Sequence, residues 1–252
     1  MGSKSPVPGP LETFVRLRRG AIARTVSIAL TTCLDGAHPA AASRVFEAFT
    51  RAMDAWLTRP EKVRLTGATV HPHPDHGLFV ETWEAMFPRM PPGAFAMLAR
   101  MAGASVPGAR RLSIREHADE RTLVVRDLEF DPEATILDVP WQIAFVRAAE
   151  PAVRIVFVEP ISADTVHRVA QVLQAWADVL ALGGFPGANG HGASSGAVSA
   201  VDATAERELV LRFTGIACAY DAWEALFEAL VPVAEQASIE LVEIGGGEPC
   251  KK

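Results

Sequence analysis

The sequence predicts an α+β fold, with mixed or antiparallel sheets and helices packed on one face. Three observations point there. Apolar residues recur at spacings of three and four in several long segments, β-branched runs of strand length lie between them, and turn signals punctuate the chain at short intervals.

In chain order, residues 1–20 read as an N-terminal tail. Val26 to Cys33 is a compact β-rich run closed by the turn signal Leu34-Asp35-Gly36. From Ala40 to Leu57, Phe46, Phe49, Ala52, Met53 and Trp56 fall on one face of an amphipathic helix that stops near Pro60. Val63 to Val70 alternates as a strand, a His-Pro segment follows, and Gly77 to Thr82 is extended again. Trp83-Glu-Ala-Met-Phe87 reads as a helix that Pro88 interrupts. Pro92 suits a first helical turn, with Phe95, Leu98 and Met101 leading to Gly103 as the stop. Arg110 to His117 and Arg121 to Asp127 read as a hairpin joined by Asp119-Glu120.

Ala152 to Val158 is a near-continuous β-branched run suited to the middle of a sheet. Ser162 is a good N-cap for a helix with the stripe Val166, Val169, Val172, Leu173, Trp176, Val179 and Leu180. Gly183 to Thr204 is rich in Gly, Ala and Ser and reads as a mobile loop. Arg207 to Thr214 is a strand, Tyr220 to Val231 a helix that ends by Pro232, and Ser238 to Ile244 a last strand.

These elements group as a first α+β unit over 21–130 and a second over 131–245 that carries loop 183–204, before a tail at 246–252. Adding 120 to Phe46, Phe49, Ala52, Met53 and Trp56 gives Val166, Val169, Val172, Leu173 and Trp176, and Trp83-Glu-Ala-Met-Phe87 matches Trp223-Glu-Ala-Leu-Phe227. The reading is an internal duplication, two diverged copies of one unit.

Composition narrows function. With 24 basic and 30 acidic residues the net charge is −6, and no long basic block is present, so nucleic acid is not an expected partner. No apolar run approaches the ~18–20 residues that span a bilayer, so no membrane partner is expected. Three scattered cysteines, Cys33, Cys218 and Cys250, make no disulfide framework or Cys-x-x-Cys pair, which points to a reducing cytoplasm. Arginine outnumbers lysine 20 to 4, a bias expected of a GC-rich bacterium. Nucleophile-elbow, Walker and dinucleotide glycine motifs are absent from the sequence.

One motif carries chemistry. His71-Pro-His73-Pro-Asp75-His76 reads as H-x-H-x-D-H. Alternating histidines can converge on one tetrahedral zinc, with the aspartate and last histidine serving a second metal. Two such metals would acidify a bridging water into a nucleophile. In this segment the chain resembles the metallo-β-lactamase-fold hydrolases, whose zinc loop has that pattern at the end of a strand. The resemblance implies a metal-dependent hydrolase with His71, His73 and His191 on one zinc, His191 coming from Gly190-His191-Gly, and Asp75 and His76 at a second. Ile216 stands where that family places its bridging aspartate, and no histidine follows His191.

Other histidines read as surface groups: His167, three residues after Asp164 on a helix face, His38 and His117. Trp83 and Trp223 read as core. With no complete catalytic constellation, the expectation is a soluble, cytoplasmic, non-catalytic binding protein without a cofactor, its partner a protein or a small ligand. Toxin-neutralising immunity proteins share this style of small acidic α+β domain. The alternative is the zinc hydrolase.

Overall fold

The computed structural model describes residues 11–17, 24–33, 39–56, 64–72, 78–87, 92–116, 123–125, 139–146, 152–185, 201–212 and 220–245. The chain divides into two compact units, residues 1–50 with 61–130, and residues 51–60 with 131–252.

The first unit runs β1 (Glu12–Leu17), β2 (Arg24–Cys33), α1 (Pro39–Trp56, whose residues from Arg51 belong to the second unit), β3 (Arg64–Pro72), β4 (Leu78–Phe87), α2 (Pro92–Ser105), β5 (Ala109–Glu116) and β6 (Leu123–Val125). Its sheet has the order β3-β4-β2-β5-β1-β6. All neighbours are antiparallel except β1 and β5, which run parallel. Ile28, Leu30, Leu112 and Ile114 are fully buried, whereas Ala29 and Ser113, one residue along the central strands, are partly exposed. One covered face is the pattern expected when both crossover helices lie on the same side.

The second unit runs β7 (Gln142–Val146), β8 (Ala152–Phe157), α3 (Ala163–Ala181), β9 (Val201–Ala205), β10 (Glu208–Arg212), α4 (Tyr220–Ala234) and β11 (Ile239–Gly245). Its sheet has the order β7-β11-β8-β10-β9, again antiparallel except for the parallel pair β7 and β11. Each unit therefore repeats one topology. The core is a split β-α-β, or ferredoxin-like, arrangement of strand, helix, hairpin, helix and strand. In each unit an earlier strand is added parallel to the last strand of that core.

The amphipathic stripes sit largely as expected, although Val166 is only partly buried and the Trp56 side chain lies outside the described residues. α1 buries Val45, Phe46, Phe49, Ala52 and Met53, and α3 buries Val169, Val172, Leu173, Trp176, Val179 and Leu180. β8 lies between β11 and β10, and its burial alternates, with Val153, Ile155 and Phe157 inside.

Several expectations are corrected. Residues 12–17, within the segment read as a tail, form β1. The expected hairpin of β5 with β6 does not exist, because β1 lies between them and pairs with both. Long-range pairing of a β-rich hexamer outweighs the local turn signal of Asp119-Glu120, which itself lies outside the described residues. Trp83 to Phe87 is strand, continuing the ten-residue ladder of β4 on β2. Trp223 to Phe227 is helix, with Ala222, Leu226, Phe227 and Leu230 buried on one face. The Trp-Glu-Ala match thus joins non-equivalent elements, since β4 corresponds to β10 and α4 to α2.

α2 passes through Gly103 to Ser105, and the left-handed turn falls instead at Gly108, with φ 74°. α4 continues past Pro232 to Ala234, because in the last turn the missing N–H removes one intrahelical bond from the exposed Glu228 side. Val201–Ala205, assigned to the loop, is the edge strand β9, joined to β10 through Glu206-Arg207. β7 has no counterpart in the expected element list. The Leu34–Gly36 turn, the Gly-rich stretch 186–200 and the tail 246–252 lie outside the described residues.

Both ends of α3 are capped. The Ser162 side chain accepts from the Thr165 backbone N–H at 3.1 Å. Gly183, at φ 76°, donates to the Leu180 carbonyl, and Gly184 donates to the Val179 carbonyl, each at 3.0 Å. That is a Schellman closure, which needs a residue without a Cβ at the left-handed position. Ser162→Ala is expected to cost about 1 kcal/mol and Gly183→Ala about 1–2 kcal/mol in urea unfolding.

Inside the second unit, the Trp176 indole N–H donates to the Ala222 carbonyl at 2.6 Å, while the Trp176 and Trp223 rings stack tilted by 30° with centroids 5.0 Å apart. Trp176 is fully buried, so this bond spares its N–H the cost of an unmet donor. Trp176→Phe is expected to destabilise the chain by about 1–3 kcal/mol, read as a lowered urea midpoint.

Candidate functional site

The H-x-H-x-D-H segment begins at the end of β3. His71 pairs at Cα with Val80 and Pro72 with Phe79, so the motif opens the connection of the β3–β4 hairpin. Upstream, β3 carries one extra residue between Thr66 and Thr69 relative to β4, a bulge in which Gly67 is easily accommodated. His73, Asp75, His76 and His191 lie outside the described residues, as do His38, His117 and Ile216. Among the described residues no group of three or more His, Cys, Asp and Glu side chains could hold a metal ion. His167 is an exposed helix-face residue whose Nε2 lies 2.9 Å from the Gln171 amide nitrogen.

Two polar arrangements stand out in the second unit. One is a groove of about 510 Å³ lined by Arg51, Asp54, Ala55, His167, Ala170, Gln171, Gln174 and Ala175. The α3 residues among these sit at helical spacing, so they form one face beside the buried stripe. The rim is already tied together. Arg51 reaches Asp178 at 3.2 Å, the Gln174 amide donates to the other Asp178 oxygen at 2.8 Å, and Gln171 engages His167. Three alanines keep the groove from filling.

The other lies on the sheet. Arg154 on β8 donates from Nε and Nη2 to the two carboxylate oxygens of Glu208 on β10, at 3.1 and 2.7 Å, and its Nη1 lies 3.7 Å from Glu243 on β11. Arg154 pairs at Cα with Val210 and with Glu243, which places all three strands' charged residues on the face that alternation leaves partly exposed. Beside it, Arg207 donates to the Phe157 carbonyl at 2.9 Å and to Glu240 at 3.1 Å. Because each charge is answered, this arrangement reads as a clamp across three strands more than as a vacant ligand site.

Neither arrangement was anticipated from the sequence, although signals exist. A lone arginine inside Ala-Val-Arg-Ile-Val-Phe asks for a carboxylate across the ladder. His167, Gln171, Gln174 and Asp178 repeat at spacings of four, three and four.

No protein-family model matches the chain, and no curated protein matches it. Among solved structures, the chain is similar to an unknown protein from Galdieria sulphuraria, at 11 % identity over 88 % of this chain and 98 % of that one, with a TM-score of 0.27.

The hydrogen bond from Arg154 holds the Glu208 carboxyl below the usual glutamate range. A carboxylate depressed on folding adds stability above its unfolded pKa and loses it as pH falls through the folded value. Acidification below about pH 4.3 is therefore expected to lower the urea midpoint of the wild type more steeply than that of Glu208→Gln.

Proposed function

We propose that this chain is a non-catalytic binding protein of a bacterial cytosol, and that the groove beside α3 takes a small polar ligand. The observation that supports this is the groove itself. Its alanine floor leaves room, and its rim offers a guanidinium, two amides and an imidazole engaged in hydrogen bonds, with the Asp54 carboxylate beside them. Its volume is in the range of small-molecule sites. Side chains engaged in this way can orient a ligand without reorganising, and reorganisation is a main cost of binding. The shared topology of the two units supports reading the chain as two diverged copies, of which the second bears this site.

The zinc hydrolase remains the second reading, supported by the position of His71-Pro72 at a strand end, where the resembled family begins its zinc loop. It would use His71, His73 and His191 for one metal and Asp75 with His76 for another.

Two measurements decide between them. Metal content by mass spectrometry, on untagged protein prepared without chelating resin, is expected far below one equivalent. Near-stoichiometric zinc that vanishes in His71→Ala/His73→Ala would favour the hydrolase. A panel of small polar metabolites followed by thermal shift is expected to yield ligands whose effect disappears in Ala170→Phe, a variant that fills the groove from its partly exposed floor. Ligand effects that persist in that variant would remove the groove as the site.

A further inference from the structure

We infer that β7 is a docking edge for a second copy of this chain, the two strands pairing antiparallel about Ala144 in a twofold dimer. The inference is independent of the groove.

The precedent lies inside the chain. In the first unit β1 is added parallel to the last strand of the core, and β6 covers its outer side. That pairing is antiparallel, through Val15 with Val125, Arg16 with Val124 and Leu17 with Leu123. In the second unit β7 holds the equivalent place beside β11, and the sheet ends there. Among the described residues nothing pairs with its outer side. The backbone N–H and C=O groups that β7 turns outward are a template for one more strand.

The other sheet edges carry devices that hinder such pairing. β3 has an extra residue between Thr66 and Thr69 and ends on Pro72. β9 has an extra residue against β10, and β6 is three residues long. β7 has none of these. Gln142-Ile-Ala-Phe-Val146 is registered with β11 over all five residues without a shift, and it holds no charge and no proline. Phe145 within it is 38 % exposed; among the described residues, Val158 is the other exposed large apolar side chain.

Any peptide can offer a backbone, so the side chains choose the partner. Antiparallel pairing about Ala144 sets Ile143 opposite the second copy's Phe145 twice over, Gln142 opposite Val146, and Ala144 opposite itself. Ile143 and Phe145 pair at Cα with the buried Val242 and Ile244, so they stand on the helix side of the sheet. A second copy's Ile143 extends that apolar layer beside Phe145, in an aromatic and β-branched pair that favours strand association. Like charges do not meet along the strand, although each chain carries a net −6. An acidic or basic peptide would find no counter-charge on this edge. The twofold uses one edge of each sheet, and the bulged β9 at the far side stops further growth.

The test is sedimentation equilibrium of the full-length chain. Five paired residues make a small interface, so the mass is expected to rise from one chain towards two over about 5–300 µM. Ala144→Lys and Ala144→Glu each set like charges against themselves at the twofold. Each is expected to weaken the dimer about fivefold or more, and an equal mixture, which faces lysine with glutamate, to restore it. Val158→Lys, on the other exposed apolar residue, is expected to change nothing. A melting curve checks that each variant folds. Hydrogen exchange of the wild type needs no variant: the amides of residues 142–146 are expected to exchange more slowly at the high end of the concentration range.

A monomer throughout that range would overturn the inference. So would a dimer that neither folded Ala144 variant weakens, or a mixture that fails to restore pairing. Exchange at 142–146 that is equally slow at all concentrations would show the edge covered within the chain, and would overturn it too.

Discussion

A buried indole N–H is costly to leave without an acceptor, and in the second unit the one on Trp176 ties the two helices of the layer together. Trp176 lies at the inner face of α3, and its donor finds the Ala222 carbonyl in the first turn of α4. One hydrogen bond and one ring stack thereby set where the second crossover helix begins relative to the first. The strands follow from that. With α3 and α4 locked together, their apolar faces meet Val153, Ile155, Leu209, Leu211, Val242 and Ile244, every second residue of the three central strands, and the opposite side of the sheet is left to the Arg154 clamp.

Local chemistry made part of this legible. The stripe Phe46, Phe49, Ala52, Met53 and its partner in α3 are set by a helical period that no tertiary context reverses. Ser162 announces its cap because a hydroxyl before a helix has an orphan N–H within reach. What local chemistry could not convey was pairing at a distance. β1 and β7 are six and five residues long, and each owes its strand state to a parallel neighbour far along the chain. Phe-Val-Arg occurs at 14–16 and again at 145–147, in just these two strands or at their ends, and was the one trace of them in the sequence. Trp-Glu-Ala followed by Met or Leu and then Phe failed as a guide for the opposite reason. Such a pentapeptide is compatible with either state, and its surroundings alone make it strand at 83–87 and helix at 223–227.

The candidate groove was hidden by similar ambiguity. Polar residues on one face of a helix look the same whether they meet water or another segment of chain. His167, Gln171 and Gln174 line a groove only because Arg51, Asp54 and Ala55, over a hundred residues earlier, belong to the same compact unit. The conspicuous histidine cluster, by contrast, is placed by the fold only as far as His71 and Pro72, at the mouth of a hairpin.

The position of β1 has a consequence for how the chain is made. Glu12 is registered with Arg111, so the parallel ladder closes a loop of about a hundred residues, and β6 can dock only after it. Residues 51–60 meanwhile belong with 131–252. On a ribosome, the first unit must wait for its N-terminal strand to be used late, holding an unpaired hexamer open while most of its sheet emerges. A cut near residue 130 would sever the second unit from a piece of itself, so this chain is two units by contact and a single object by synthesis.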